Sequence, residues 1–184
     1  MAYEIEIKAH ADRNLKDRID RLCGVEGEPV VKEDVYYAFP DDAVPRFRLR
    51  LENARILVSV KQNHREGALE CNKELEFYHD EPADLPVMKE MALLLGYEVF
   101  IHKYKEGWSW MHGPVHIELL DVRHLGWFLE MEIISAEAGL EANRENYDRL
   151  FETLHALGLS DEAVESRSYQ EMLRPFEPRT GRSE

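Results

Sequence analysis

Basic charge is what this chain has least of: 23 Lys and Arg stand against 37 Asp and Glu over 184 residues, a formal net charge of −14. That balance excludes general affinity for nucleic acid or an anionic membrane, because both are bound by basic surfaces. Any anionic ligand must then be held by local clusters of bases. Cysteine is nearly absent. Cys23 and Cys71 are too few and too isolated for a disulfide framework or a CxxC metal site, and they read as two reduced thiols of a cytoplasmic protein. No apolar run approaches ~18 residues, so no membrane span is expected, and the strand pattern that begins at Tyr3 has no apolar secretion core before it. Zinc spacing, a P-loop, a dinucleotide glycine fingerprint, internal repeats and low-complexity tracts are all missing. The eight histidines are scattered without metal-ligand spacing.

What is present is enough apolar material, 44% of residues, for one sizeable core. A single domain over 1–174 is expected, with 175–184 as a flexible tail. Glu4-Ile5-Glu6-Ile7-Lys8 alternates charged and apolar residues at the period of a strand. Further strands are predicted near 29–38, 45–52, 55–62, 69–78, 97–108, 114–121 and 127–135, eight in all. Turns are expected at Pro40-Asp41-Asp42, Glu52-Asn53-Ala54 and His64 to Gly67. Asp12 can cap a helix carrying Leu15, Ile19 and Leu22, which Gly24 ends. A second helix from about Asp84 gathers Val87, Met88, Met91, Leu94 and Leu95 on one side, and a third at about 140–157 packs through Tyr147, Leu150, Phe151, Leu154 and Leu157. Short loops between most strands argue for antiparallel pairing and an α+β fold.

The charges repeat from strand to strand. Arg46, Arg48 and Arg50 alternate with Phe47, Leu49 and Leu51; Lys61 shares a face with Leu57 and Ser59; Glu74 and Glu76 oppose Leu75 and Phe77. Lys103 with Lys105, and Glu130 with Glu132, make two more such faces. A charged face is the usual solvated side of a sheet, but these strands segregate acids from bases. Closed into a barrel they would line a polar lumen wide enough for one small ligand. Glu4, Glu6, Glu74, Glu76, Asp121, Glu130 and Glu132 balance Lys8, Arg46, Arg48, Arg50, Lys61, Lys103 and Lys105, so the whole −14 lies elsewhere. Clustered carboxylates suit hard cations such as Mg²⁺ or Mn²⁺, and converging Arg and Lys suit a polyanion. A triphosphate satisfies both.

In type and order these residues resemble the CYTH superfamily, the triphosphate tunnel metalloenzymes. The opening ExExK is Glu4, Glu6, Lys8; Lys32 to Pro40 is similar to the second strand, Arg48-Leu49-Arg50 to the RxR strand, and Lys61 to the lysine that follows. Glu74 and Glu76, Lys103 and Lys105, and Leu125-Gly126 with Glu130 and Glu132 continue the match. Arg167-Ser168-Tyr169-Gln170-Glu171-Met172-Leu173 resembles the ending of the CyaB-type, class IV adenylyl cyclase branch. The resemblance implies a closed eight-stranded antiparallel tunnel flanked by helices. It also implies metal held by Glu4, Glu6, Glu130 and Glu132, phosphates gripped by Lys8, Arg48, Arg50, Lys61, Lys103 and Lys105, and catalysis by Lys8, Lys61 and Glu6. Glu74, Glu76 and Asp121 would line the tunnel, although the stretch from Asp121 to Gly126 is one residue shorter than the family's usual spacing. Tyr36, Tyr37 and Tyr169 read as packing residues, Arg167 as an anchor for the last helix, and Arg46 as a residue of the tunnel mouth.

The implied activity is closure of ATP to cyclic AMP and pyrophosphate. One alternative is hydrolysis of the terminal phosphate of tripolyphosphate, thiamine triphosphate or a nucleotide, and another is a non-catalytic polyphosphate or nucleotide sensor. A structural salt-bridge lattice is the alternative for every residue carried over. The oligomeric state is left open, a homodimer included.

Overall fold

The computed structural model describes residues 3–62, 65–66 and 69–176. The expected turn at His64 to Gly67 and the tail at 175–184 therefore lie largely outside the described residues.

Eight strands close into one antiparallel barrel. They are β1 (Tyr3–His10), β2 (Glu28–Ala38), β3 (Phe47–Glu52), β4 (Arg55–Gln62), β6 (Leu69–His79), β7 (Glu98–His112), β8 (Val115–Val122) and β9 (Gly126–Ser135). The order round the barrel is β1-β9-β8-β7-β2-β3-β4-β6, and β6 returns to β1 to close it. A two-residue strand, β5 (Arg65–Glu66), adds a short ladder to the start of β6. The β3–β4 hairpin turns at Asn53 and Ala54, both with positive φ, the backbone that a tight two-residue hairpin needs. Gly107 is required by packing instead: a Cβ there would stand 2.0 Å from the Leu119 carbonyl oxygen on β8.

Period-two alternation then sorts every strand into a lumen face and an outer face. On the outside, Ile5, Ile7, Ile117, Leu119, Leu129 and Met131 of β1, β8 and β9 pack under α1 (Lys16–Cys23) and α3 (Arg144–Ala156) through Ile19, Leu150 and Leu154. Across the barrel, α2 (Leu85–Leu94) covers Val35, Leu49 and Ile56 of β2, β3 and β4. Its contact is not the predicted one. Leu85 and Ala92 are buried and Met88 packs beside them, whereas Val87, Met91, Leu94 and Leu95 are exposed.

One end of the barrel is closed by α4 (Tyr169–Leu173), whose Tyr169, Met172 and Leu173 pack on Tyr36, Ile101, Leu120, Val122 and Phe128. The preceding segment fastens it there. Val164 bridges Ala9, the Glu165 amide donates to the Lys8 carbonyl at 2.8 Å, and Arg167 and His10 hold the Glu165 carboxylate. Ser168 and Glu171 then form a reciprocal capping box that starts α4 under the barrel.

Candidate active site

The lumen is a cavity of about 620 Å³. Lining it are Glu4, Glu6 and Lys8 from β1; Arg46, Arg48 and Arg50 from β3 and the loop before it; Lys61 from β4; and Glu74 and Glu76 from β6. Lys103 and Lys105 from β7 and Glu130 and Glu132 from β9 complete the set that sequence reasoning named. Asp121 is the exception. On β8 it shares the outward face with Ile117 and Leu119, one residue out of step with Glu118, which does line the cavity. A one-residue offset on a strand sends a side chain to the opposite face.

Toward α4 the lumen is lined by buried, mutually paired charges. The Arg50 guanidinium donates twice to Asp34, at 2.6 and 3.2 Å, and the Lys103 ammonium stands 3.0 Å from the other side of that carboxylate. Burial alone would raise the Asp34 pKa, but Arg50, Lys103 and Arg48 overcome it and hold the carboxyl well below its usual range. Lys105 pairs with Glu130 at 2.7 Å, and the Tyr169 hydroxyl donates to the same carboxylate at 2.7 Å. Burial and then the Glu130 charge push that phenol well above its ordinary value. Three ammoniums surround the Tyr169 ring: Lys8 at 5.6 Å, Lys103 at 5.0 Å and Lys105 at 5.8 Å from its centroid. The residue read as packing is therefore the floor of the basic end. Tyr36 joins it, accepting from Lys103 at 3.0 Å, while Tyr37 faces outward into the α2 core.

Away from the floor the balance reverses. Lys61 stands between three carboxylates, 3.1 Å from Glu4, 3.0 Å from Glu6 and 3.5 Å from Glu74. Burial, together with Glu132, Glu74 and Glu6 and against the pull of Lys61, raises the Glu4 carboxyl to about 7. For Glu6 burial acts the same way, but Lys61 and Lys8 outweigh it and its pKa falls. Glu132 accepts from His116 Nδ1 at 3.0 Å, in the imidazole tautomer that carries its proton there, and Glu76 lies at the exposed rim. Arg46 pairs with Asp42 at the mouth, as expected of a mouth residue.

The donor set suits a hard divalent cation by chemistry, being all carboxylate oxygen, and Glu4 is raised by its burial first and by the neighbouring carboxylates after it. As the side chains stand, no three such groups among the described residues are arranged as a metal cage. Lys61 is the resident cation among Glu4, Glu6 and Glu74, and Glu130 stands apart with Lys105 and Tyr169.

Sequence reasoning gave no role to Lys32, Asp34, His116 or Glu118. Lys32 pairs with both Glu52 and Glu118 inside the barrel. The same alternation could have found them: Lys32, Asp34 and Tyr36 share one face of β2, and His116 and Glu118 share one face of β8.

The family model for the CYTH domain matches residues 2–169. The chain belongs to the CYTH family. No curated protein matches it. Among solved structures, the PH1012 protein of Pyrococcus horikoshii OT3 is similar at 25% identity and a TM-score of 0.74, covering 91% of this chain and 98% of that one. A Vibrio parahaemolyticus protein described as a "putative adenylate cyclase" is similar at 23% identity and 0.72, over 94% of this chain and 98% of its own. HpAC1 from Hippeastrum, described as an adenylyl cyclase candidate with a dominant triphosphatase activity, shares the fold at 15% identity and 0.63, over 97% of each chain. CYTH membership thus joins the closed barrel to a family of triphosphate enzymes.

Proposed function

We propose that this CYTH protein is a divalent-metal-dependent enzyme that binds a nucleoside triphosphate in the barrel and closes ATP to cyclic AMP and pyrophosphate. The observation that carries the reading is the polarity of the cavity: bases at the α4 floor, carboxylates toward the mouth, and Val44, Pro45, Phe47, Tyr78 and Ile134 among the lining residues. A triphosphate entering this field sends its terminal phosphates to Lys8, Arg48, Arg50, Lys103 and Lys105, where Arg can bind phosphate oxygens bidentately. Its α-phosphorus and nucleoside then rest among the carboxylates and the apolar side chains. At about 620 Å³ the cavity is of the size that takes a whole nucleotide.

Glu4, Glu6 and Glu132 are the residues that would hold Mg²⁺ or Mn²⁺, and Glu130 could join them only by releasing Lys105. Such a cation, when bound, makes a coordinated hydroxyl more acidic and offsets charge on the phosphates. The chain's own part is positional. The floor fixes pyrophosphate as the leaving group, so the 3′-oxygen forms its bond to the α-phosphorus as the bond to the β-phosphate oxygen breaks, and the hydroxyl proton leaves through the open mouth. Lys61, held by Glu4, Glu6 and Glu74, would reach phosphate if a bound cation took over Glu4 and Glu6. Glu74 and Glu76 orient Lys61 and Arg48 in this reading.

A second reading, hydrolysis of the terminal phosphate, is supported by the activity stated for the Hippeastrum relative. Tripolyphosphate or thiamine triphosphate would then serve as substrate, with water attacking the terminal phosphorus. A passive sensor is disfavoured because all four candidate metal carboxylates are retained. The deciding experiment incubates the protein with ATP, tripolyphosphate and thiamine triphosphate, each with Mg²⁺ or Mn²⁺, and resolves the products. Cyclic AMP with pyrophosphate supports the cyclase. Orthophosphate without cyclic AMP replaces it with the triphosphatase, and no turnover of any substrate leaves only the sensor.

A further inference from the structure

The helix that departs from its predicted contact leaves a run of exposed apolar side chains on the outside of the barrel. Inside α2, Leu85, Met88 and Ala92 define the side that rests on the barrel. Lys89 reaches Glu33 of β2 at 3.4 Å, which fixes one flank of the helix toward β2. At 3.6 residues per turn, Val87, Met91 and Leu95 occupy the opposite flank, toward β4 and β6, and Leu94 sits on the crest. On the neighbouring sheet, Val60 of β4 is the cross-strand partner of Leu75 of β6, and Val58 that of Phe77. Val58 packs in the α2 core, so the sheet surface and the helix flank are continuous.

Val60, Leu75, Phe77, Val87, Met91, Leu94 and Leu95 are each between 39% and 81% exposed. Together they present on the order of 700 Å² of apolar side chain, above the few hundred expected of a monomer's largest patch and close to what one partner gives to a stable interface. Its shape is a ridge, α2, beside a step, the outer face of β4 and β6.

We propose that this shelf is a homodimer interface, in which a two-fold axis lays the α2 ridge of each copy on the β4–β6 step of the other. A ridge and a step side by side on one face can each receive the other across a two-fold axis, which is what an isologous contact requires. The barrel is closed by the pairing of β6 with β1, and the edge strand β5 is two residues long, too short to carry strand pairing between copies. The net charge of −14 makes the rest of the surface repel a second copy, which confines association to this face. The stretches outside the described residues are too short or too polar to cover it: 177–184 reads EPRTGRSE, 63–64 NH, 67–68 GA and 1–2 MA. This inference does not depend on the proposed reaction.

Sedimentation velocity on the full chain, from about 1 to 100 µM, tests it. The wild type is expected at twice the 21.6 kDa chain mass. Met91→Glu with Leu94→Glu, both at exposed positions, is expected to halve the mass while circular dichroism and binding of Mn²⁺ with tripolyphosphate stay unchanged. Leu93→Glu, exposed on the Lys89 flank of the same helix, is expected to remain dimeric. A wild type that is monomeric throughout overturns the proposal and leaves the shelf to a different partner. A double variant that stays dimeric, or a Leu93→Glu protein that dissociates, also overturns it.

Discussion

The two ends of the barrel lumen carry similar residues in opposite states. At the floor, Asp34 is shared by Arg50 and Lys103, and Glu130 by Lys105 and Tyr169, so each buried carboxylate is matched by cations and hydrogen bonds. Toward the mouth, Glu4, Glu6 and Glu74 crowd round one ammonium, that of Lys61, and among the described residues only Glu74 has a second cation in contact, Arg48 at 3.6 Å. A matched buried network is rigid and costly to break; an unmatched one is strained until a further cation arrives. The floor is therefore a structural grip with its charges in place, and the mouth is where binding does electrostatic work.

The largest expected effect breaks the floor. Asp34→Ala strands two buried cations and should cost about 3–5 kcal/mol in a denaturant melt; a loss below about 1 kcal/mol would show that the network is looser than its geometry. At the mouth the expectation inverts: Glu6→Gln should lower metal-dependent turnover by at least about tenfold, the loss of roughly one charge-assisted contact, while the melt of the metal-free protein barely moves. Tyr169→Phe lies between the two. Losing its hydrogen bond to Glu130 should cost about 2 kcal/mol in stability, and KM should rise because Glu130, without the Tyr169 hydroxyl, then draws more strongly on Lys105.

Acidity separates the ends more gently. The Glu4 pKa is raised to about 7, so the stability contributed by its protonated form is complete below 4.5 and is lost as pH rises through about 7. Asp34 is depressed, so its contribution is present above 3.8 and is lost only as pH falls well below that. Thermal melts with and without Mg²⁺ should thus show a larger metal-induced rise in Tm at pH 8 than at pH 6, with Glu4→Gln removing the difference. The smallest effect is expected from Asp121→Asn: on the outer face of β8, it should leave turnover and metal binding within about twofold of wild type, as surface substitutions usually do.

Much of the barrel was legible because period-two alternation is a local signal, and on β1, β3, β6 and β9 it separated lumen from exterior. It failed where a single residue decided the face. The family resemblance made Asp121 look like a lumen acid although the stretch before Gly126 is one residue short, while Glu118, in phase with His116, is the residue that points in. The α2 error has another cause. Its apolar residues outnumber what one buried stripe can use, so counting them could not reveal that Leu85 and Ala92 face the sheet and Met91 and Leu94 face outward. Tyr169 was illegible as a site residue because its place depends on the Glu165–Lys8 backbone link, which closes across 157 positions of sequence.

Calorimetric titration of Mn²⁺ into the protein at pH 8, alone and with tripolyphosphate, tests the contrast between the two ends most directly. Binding should be lost in a Glu4→Gln, Glu6→Gln double variant and kept in Asp121→Asn, with tripolyphosphate strengthening it in the wild type. Equal Mn²⁺ affinity in the double variant and the wild type would contradict the assignment of the mouth carboxylates to metal.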